Sequence, residues 1–525
     1  MNNKTENKFI VLPQYDENGR VYYKTPIARA DQNLVAVCPK VAEKVIPVIF
    51  LPGVMGSNLK NQEGEGIWHA NFYQGIDALL WLLNSSKERI QLLDPETTIV
   101  DDSGKILYND QKEKMFPSRE KRGWGEAFYK SYGEPLHVLQ FMLNDQHILL
   151  DNLINGSQRL TTRQQLIGEN LNAERGEEAL TKAEVKHSYN FLFPVHVFGY
   201  NWLQSNVDSA QKLADYIKMT LGLYHGRLAL NKVILVTHSM GGLVARHYSE
   251  NMGGQENILG IVHGVMPDLG SPAAYRRMKT GERGIVGRVI GRNAEQLMPV
   301  LAQSPGPLQL LPSVTYGNSW LKIQSEKETQ VKPLFDPYKE IYLNNSDWWR
   351  LYESGISDGD LDEKWNKYRD IINGKVHDYI EGLSNKYHPN TWAFYGASKD
   401  NPSDGSLTWV KKQTFKTTSR LPIQAVAGVV RSATNRVVRE NEWQPDDSGL
   451  VSNFELVSSD SPGDGTVPVR SGRITSSVIR SLLATDVDHE GAYAVGNIAA
   501  GELSVAMKFT LRAIVKMVQE VPACR

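Results

Sequence analysis

The stretch VILVTHSMGGLVARHY, residues 233–248, decides how the rest of the chain reads. Its first part, Val233, Ile234, Leu235 and Val236, is an apolar run suited to the centre of a parallel sheet covered on both faces. Its second part reads as a helix opening on Gly241 and Gly242, where the missing Cβ atoms let helix and strand approach closely. Between the two, Ser239 falls on a sharp strand-to-helix turn that lifts its hydroxyl above the sheet. A plain helix N-cap is the competing reading; the strand before the serine and the paired glycines after it favour a nucleophile. Thr237 stands where such turns carry their first glycine, so the motif is T-x-S-x-G.

Composition sets the bounds. The chain has 525 residues, 41% of them hydrophobic and 22% charged, with a formal net charge of -1. These are ordinary values for a globular protein, and the length allows two or three domains or one large core with insertions. No basic stripe points to nucleic acid, and none is expected as a partner. Two distant cysteines, Cys38 and Cys524, make neither a disulfide framework nor a metal-ligand cluster. The opening residues lack the apolar stretch of a secretory signal, and no run approaches the roughly 20 apolar residues that span a bilayer. The expectation is a soluble chain made in the cytoplasm without a signal peptide, touching membranes only peripherally and exported by another route.

Further strands flank the opening motif. Val45 to Leu51 (VIPVIFL) runs into PGVMGSNL, and Phe193 to Gly199 (FPVHVFG) is followed by Tyr200, Asn201 and Trp202. A helix is expected over Val207 to Leu221, with Leu213, Tyr216, Ile217 and Met219 or Thr220 near one face. Ile258 to Val265 (ILGIVHGV) leads into MPDLGSP. This alternation predicts a mostly parallel central sheet with helices on both faces. The expected organisation is an N-terminal extension (1–44), a first core part (45–272) with an insertion at 60–190, a cap or lid (273–387), and a second core part (388–525). The cap is read from the Gly-rich, basic segment at 281–301, from SPGPLQLLPS (304–313), and from a helical-looking region with Trp348, Trp349 and Trp365. TWAFYG (391–396) reads as a return to the sheet, followed by a long polar excursion, SPGDGTVPVRSG (461–472) and a terminal amphipathic helix.

A serine hydroxyl needs a base within hydrogen-bond reach, and the base needs an orienting acid. In the α/β-hydrolase fold the chain order is serine, acid, histidine. Of twelve histidines, only His489 lies downstream of every remaining strand, in DVDHEGAY, and it is the expected general base. His238 reads as sheet-top packing, His247 and His263 as structural, and His377 and His388 as belonging to the cap region. Asp464 in GDGTVP precedes His489 by 25 residues, and Gly463 and Gly465 permit the tight backbone that aims its carboxylate. Asp268, Asp460, Asp486 and Asp488 compete for the role. The oxyanion hole is expected from two peptide N–H groups, those of Met240 and of Val54 in PGVMGS. No divalent cation or other cofactor is called for by this chemistry.

Together, LPGVMGSNL, Tyr-Asn-Trp after FPVHVFG, HSMGG, LGSP, SPGPLQLLPS and GDGTVP resemble the lecithin:cholesterol acyltransferase and lysosomal phospholipase A2 group of α/β-hydrolase lipases. The segment GVMPDLGSPAAYRRMKTG is more similar to bacterial type VI secretion system phospholipase effectors, most of all the class likened to GPI inositol-deacylases. The resemblance implies Ser239, Asp464 and His489 as a triad, Val54 and Met240 at the oxyanion hole, and phospholipase A activity on membrane glycerophospholipids. It also implies delivery into a competitor's periplasm, a secretion-system spike component and a cognate immunity protein as partners. Two positions depart from the pattern, Thr237 and Asn201, the latter standing where the group often has Asp.

A lipid hydrolase has to shield its acyl pocket from water, and a mobile cap does so. Glycines at 281, 284, 287 and 291 are expected hinges, and Ile285, Val286, Val289, Ile290, Leu297, Met298, Val300 and Leu301 an acyl-binding or membrane-facing surface. Arg276, Arg277, Lys279, Arg283, Arg288 and Arg292 would favour anionic lipid, and Ile76 to Leu83 is a second lid candidate. SDGDLDE (357–363) and KDNPSDGS (399–406) miss calcium-loop spacing and read as solvated loops. An acyltransferase, thioesterase or lipid deacylase could use the same three side chains, and a non-catalytic membrane-binding protein could share the fold.

Overall fold

The opening motif folds as read: all six side chains of Val233–His238 are buried in a strand, and a helix begins at Met240. A computed structural model of the chain describes residues 7–25, 34–69, 85–107, 115–282, 291–353, 361–417, 435–439, 449–458, 461–497 and 502–523. Its central sheet has six strands: β1 (Val48–Leu51), β2 (Val195–Val197), β3 (Val233–His238), β4 (Ile258–Gly264), β5 (Thr391–Gly396) and β6 (Ser481–Thr485). They lie in the order β2-β1-β3-β4-β5-β6, and every neighbouring pair is parallel. The first five are buried along their whole length, which is why their sequences are continuous apolar runs rather than alternating ones.

Helices cover both faces. On one side α1 (Tyr129–Leu143) packs with α6 (Val505–Met517); on the other α2 (Asn206–Leu223) packs with α3 (Met240–Asn251). Strand parity separates the two layers. Gly260 of β4 faces Met517 of α6, whereas His263, three residues on, faces α3 at Gly242. The expected helix after residue 206 turns Leu213, Ile217 and Thr220 inward and leaves Met219 exposed. This strand order with helices on both faces is the α/β-hydrolase fold.

The described parts of the polar excursion after β5 contribute strands to a second sheet. Leu407–Thr417 and Gly449–Ser458 pair antiparallel in a five-stranded second sheet, which Leu321–Gln324 joins in parallel. Leu407 and Trp409 point into its core, an alternation partly hidden by the lysines around them and by a register shift between Lys411 and Gln413. Trp365 lies on a helix (Leu361–Asp370), but Trp348 and Trp349 sit in a turn, where Trp348 packs edge-on against Trp409. Helix α4 (Pro272–Thr280) is tied to the second sheet by a buried ion cluster in which Lys279 and Arg436 both meet Glu353.

The basic, apolar segment reads differently once folded. Helix α5 (Ala294–Ala302) buries Leu297, Met298, Val300 and Leu301, so these four do not form a membrane-facing surface. Lys279 is spent on Glu353, Arg276 pairs with Asp404, and Arg277 pairs with Glu282. Residues 283–290 and the lid candidate Ile76 to Leu83 lie outside the described residues. Among the described residues, no helix is long and apolar enough to cross a membrane.

Helix α3 approaches the sheet only because position 241 lacks a side chain. A Cβ there would lie 2.5 Å from the Pro52 carbonyl oxygen and 2.6 Å from that of Leu51. Both are backbone atoms at the end of a buried strand and have no room to yield. Gly241→Ala is expected to lower stability by about 1–3 kcal/mol in denaturant unfolding; an unchanged midpoint would mean that the helix docks less closely than described.

Candidate active site

Three strands deliver the side chains that converge above the C-terminal edge of the sheet. Ser239, directly after β3, takes φ 51° and ψ -124°, an uncommon conformation for a non-glycine residue. Its N–H donates to the Gly264 carbonyl at 2.9 Å, clamping the turn to the end of β4. Thr237 explains the altered motif: its hydroxyl lies 2.8 Å from His263 Nδ1, so threonine joins β3 to β4 where a glycine would leave that ring nitrogen unpartnered.

Asp464 lies over the end of β5. Gly396 admits it there, since a Cβ at 396 would fall 2.5 Å from the Asp464 Cβ. The peptide N–H groups of Thr466 and Val467 donate to Asp464 Oδ1 at 2.9 and 2.6 Å, leaving Oδ2 for the histidine. His489 follows β6, and its N–H donates to the Asp464 carbonyl at 2.8 Å. The side chains then line up: Asp464 Oδ2 is 2.8 Å from His489 Nδ1, and His489 Nε2 is 2.9 Å from Ser239 Oγ. Ser239 is 3% exposed and Asp464 2%, so both work in a largely water-excluded setting.

Two of the four competing carboxylates are engaged elsewhere. Asp268 pairs with Arg246 and accepts from the Tyr387 hydroxyl, and Asp488 accepts from the Gly491 N–H. Asp460 lies outside the described residues, and Asp486 has its backbone carbonyl bonded to Asn401.

The loop after β1 closes over the serine. Gly53 packs against it so tightly that a Cβ at 53 would lie 3.1 Å from the Ser239 Cβ. Tyr200 holds this loop by donating its hydroxyl to the Pro52 carbonyl and its N–H to Ser57 Oγ. The N–H groups of Val54 and Met240 donate to no other protein group among the described residues. Asn201 donates its amide to the carbonyls of both Pro95 and Thr98, a role that an aspartate could not fill.

Sequence reasoning missed several supports. Ser403 Oγ accepts from the N–H groups of Asp464 and Gly465 at 3.1 and 2.9 Å and so pins the Asp464 loop. KDNPSDGS is therefore not a solvated loop: Ser398–Ser403 pairs with Ser461–Gly463, and Asp404 is buried against Arg276. His238 does sit at the sheet top, but it is also bonded, with Nδ1 2.7 Å from the Tyr132 hydroxyl and Nε2 2.7 Å from the His489 carbonyl. Burial pushes the His238 ring down to about 3, helped by the neighbouring His489, and burial likewise pushes His263 down to about 3.

A cavity of about 360 Å³ opens at Ser239 and His489, walled by Val54, Met55, Trp68, Phe128 and Tyr132. A separate small lobe of about 30 Å³, mostly apolar, shares the Val54, Met55 and Leu310 wall with it and lies between Met278, Leu297, Leu301, Leu308 and Leu311. Two of the residues expected to touch acyl chains, Leu297 and Leu301, thus line a lobe beside the serine rather than an outer surface. Lys130, Arg277, Glu282 and Glu490 add charge to the cavity wall. Among the described residues, no group of three or more His, Cys, Asp or Glu side chains is arranged to hold a metal ion.

Comparison with known proteins agrees with this fold. A family described as PGAP1-like alpha/beta domain matches residues 153–279, which include β2, β3, the serine turn and β4. The crystal structure of Tle4-Tli4 complex contains a chain that superposes with a TM-score of 0.73 at 28% identity, covering 92% of this chain and 100% of that one. No curated protein matches the chain in sequence. The likeness to the chain of the Tle4-Tli4 complex therefore extends over nearly the whole chain, and the PGAP1-like match falls within it, at residues 153–279.

Buried neutral histidines make the fold sensitive to acid. His238 and His263 hold folded values near 3 and His388 about 4, against 6.5 when unfolded, so below pH 6.5 the unfolded chain binds more protons. Each then removes up to about 1.4 kcal/mol of stability per pH unit as pH falls toward its folded value. Denaturant midpoints are expected to drop between about pH 6.5 and pH 4.5; a flat profile would show these rings to be solvated or charged.

Proposed function

We propose that this chain is a serine lipase of phospholipase A type, cleaving acyl esters of membrane glycerophospholipids. The observation that carries the proposal is the unbroken line Asp464–His489–Ser239, opening on a cavity with a small apolar lobe beside it. In this reading Ser239 Oγ attacks the ester carbonyl while its proton passes to His489 Nε2. Asp464 holds the ring with Nδ1–H toward itself and stabilises the imidazolium. The developing oxyanion is met by the N–H groups of Val54 and Met240, a type of contact worth about 3 kcal/mol per donor. His489 then protonates the departing lysolipid oxygen, leaving an acyl-serine. Water attacks that ester as His489 takes its proton, the fatty acid leaves, and Ser239 regains its hydrogen.

The same proposal assigns residues 273–387 as the cap between core parts 45–272 and 388–525. Helices α4 and α5 and the 304–313 segment supply the apolar lobe in support of that assignment. The likeness to Tle4, solved together with Tli4, supports a protein partner of the immunity kind. It also supports delivery by a type VI secretion system into a target cell's periplasm, where phospholipid is the substrate.

Mass spectrometry of products from vesicles of defined mixed-chain phospholipids tests the reading. The expected products are one free fatty acid and one lysophospholipid per turnover. Ser239→Ala, His489→Ala and Asp464→Asn are each expected to lower turnover by about 10⁴-fold or more. Acyl release that survives Ser239→Ala would overturn the proposal, and transfer of the acyl group to an added alcohol in place of release would make the chain a transferase.

A further inference from the structure

We infer that His238 and Tyr132 are positioning residues that lock the oxyanion loop to the general base through one directed chain of hydrogen bonds. The inference rests on reading Ser239 and His489 as nucleophile and base. Its atoms are the Gly53 N–H, 3.1 Å from the Tyr132 hydroxyl oxygen; that oxygen, 2.7 Å from His238 Nδ1; and His238 Nε2, 2.7 Å from the His489 carbonyl oxygen.

The chemistry of the two ends fixes every proton between them. A carbonyl oxygen only accepts, so the hydrogen toward His489 belongs to His238 Nε2. A neutral ring then leaves Nδ1 as an acceptor, and the Tyr132 O–H donates to it. The Tyr132 oxygen is left free to accept from the Gly53 N–H. All three links therefore point one way, from the loop beside Val54 to the backbone of the base. Each group is buried: Tyr132 is 3% exposed and His238 6%. Burial also keeps the ring neutral, which suits a neighbour of a histidine that becomes cationic during turnover.

The chain of hydrogen bonds joins two elements that different strands deliver and that also meet where the Phe50 and Tyr493 rings pack edge-on. Gly53 and Val54 follow β1, and His489 follows β6, at opposite sides of the sheet centre. Yet the oxyanion must meet the Val54 N–H while its serine faces His489 Nε2. Tyr132 comes from a third element, α1, whose position the core fixes independently. The contact leaves no slack: a Cβ on Gly53 would lie 2.8 Å from His238 Nδ1. Only the transition state needs both donors and base in register, so loss of the chain should weaken turnover far more than lipid binding.

The test uses the full chain in two readouts. In the first, ¹⁵N-histidine spectra, with His238 assigned by its loss in His238→Gln, are expected to show a neutral ring protonated at Nε2 from about pH 5 to about pH 8. A ring protonated at Nδ1, or one that titrates in that range, would overturn the inference. In the second, kinetics on phospholipid vesicles compare Tyr132→Phe, His238→Leu and His238→Gln after thermal unfolding has shown which variants fold. Tyr132→Phe and His238→Leu are expected to lower kcat by about 100-fold with KM within about threefold. His238→Gln, which keeps a donor for the His489 carbonyl, should recover about tenfold of that loss. Tyr132→Phe with kcat within about twofold of the parent would overturn the inference. A parent chain inert toward both phospholipid and serine-directed phosphonate would instead remove the lipase reading, and the ring spectra would still judge the hydrogen-bond chain.

Discussion

Ser239 is held in a backbone conformation that a serine seldom adopts, and the architecture around it is what keeps it there. The strain is of order 1–3 kcal/mol and survives only where neighbours over-determine the turn. Here β3 is fully buried and anchored on both sides by parallel pairing, the Ser239 N–H is clamped to the end of β4, and α3 docks at Gly241 against the carbonyls of Leu51 and Pro52. The same close docking brings the loop after β1 against the serine, so the proposed nucleophile and oxyanion loop are consequences of one packing event.

The proposed acid and base, Asp464 and His489, reach the serine by a separate route. Both sit on loops after strands at the far side of the sheet, and loops alone rarely hold side chains to the tolerance that proton transfer demands. This structure compensates with backbone bonds. Asp464 receives two peptide N–H groups on one oxygen, its carbonyl takes the His489 N–H, and Ser403 grips the loop from beneath. Ser271 adds a bond to the Thr466 carbonyl, which ties the LGSP turn to the same loop. The cap-side helix α4 starts at that turn, so the apolar lobe is registered to the acid as well as to the serine.

What could be read from the sequence follows the range of the interactions. Strands β1, β3, β4 and β5 were legible because burial on both faces leaves an unbroken apolar run, and the serine turn because glycine spacing is local. His489 and Asp464, proposed as base and acid, were singled out through chain order, a property of the fold rather than of their neighbours. The supports were not legible. Tyr132, Ser403 and His238 act across separations of 106, 61 and 251 residues, and nothing beside them in sequence marks the partner. Charge misled in a systematic way. Arg276, Arg277 and Lys279 look like a basic face, yet their partners Asp404, Glu282 and Glu353 come from distant or unremarkable segments. The second sheet escaped notice because lysines occupy its outward positions. Thr237 and Asn201 look like departures until their partners, His263 and the carbonyls of Pro95 and Thr98, are seen.

The account requires that a tetrahedral, negatively charged centre bonded to Ser239 Oγ point its oxygen at two peptide N–H groups. A crystal structure of the chain after reaction with an alkyl fluorophosphonate measures this directly. The account predicts a single adduct on Ser239, its phosphoryl oxygen about 2.7–3.1 Å from the N–H groups of both Val54 and Met240, and its alkyl chain in the lobe beside Leu297 and Leu301. An adduct on another residue, or a phosphoryl oxygen turned away from both N–H groups, would contradict it.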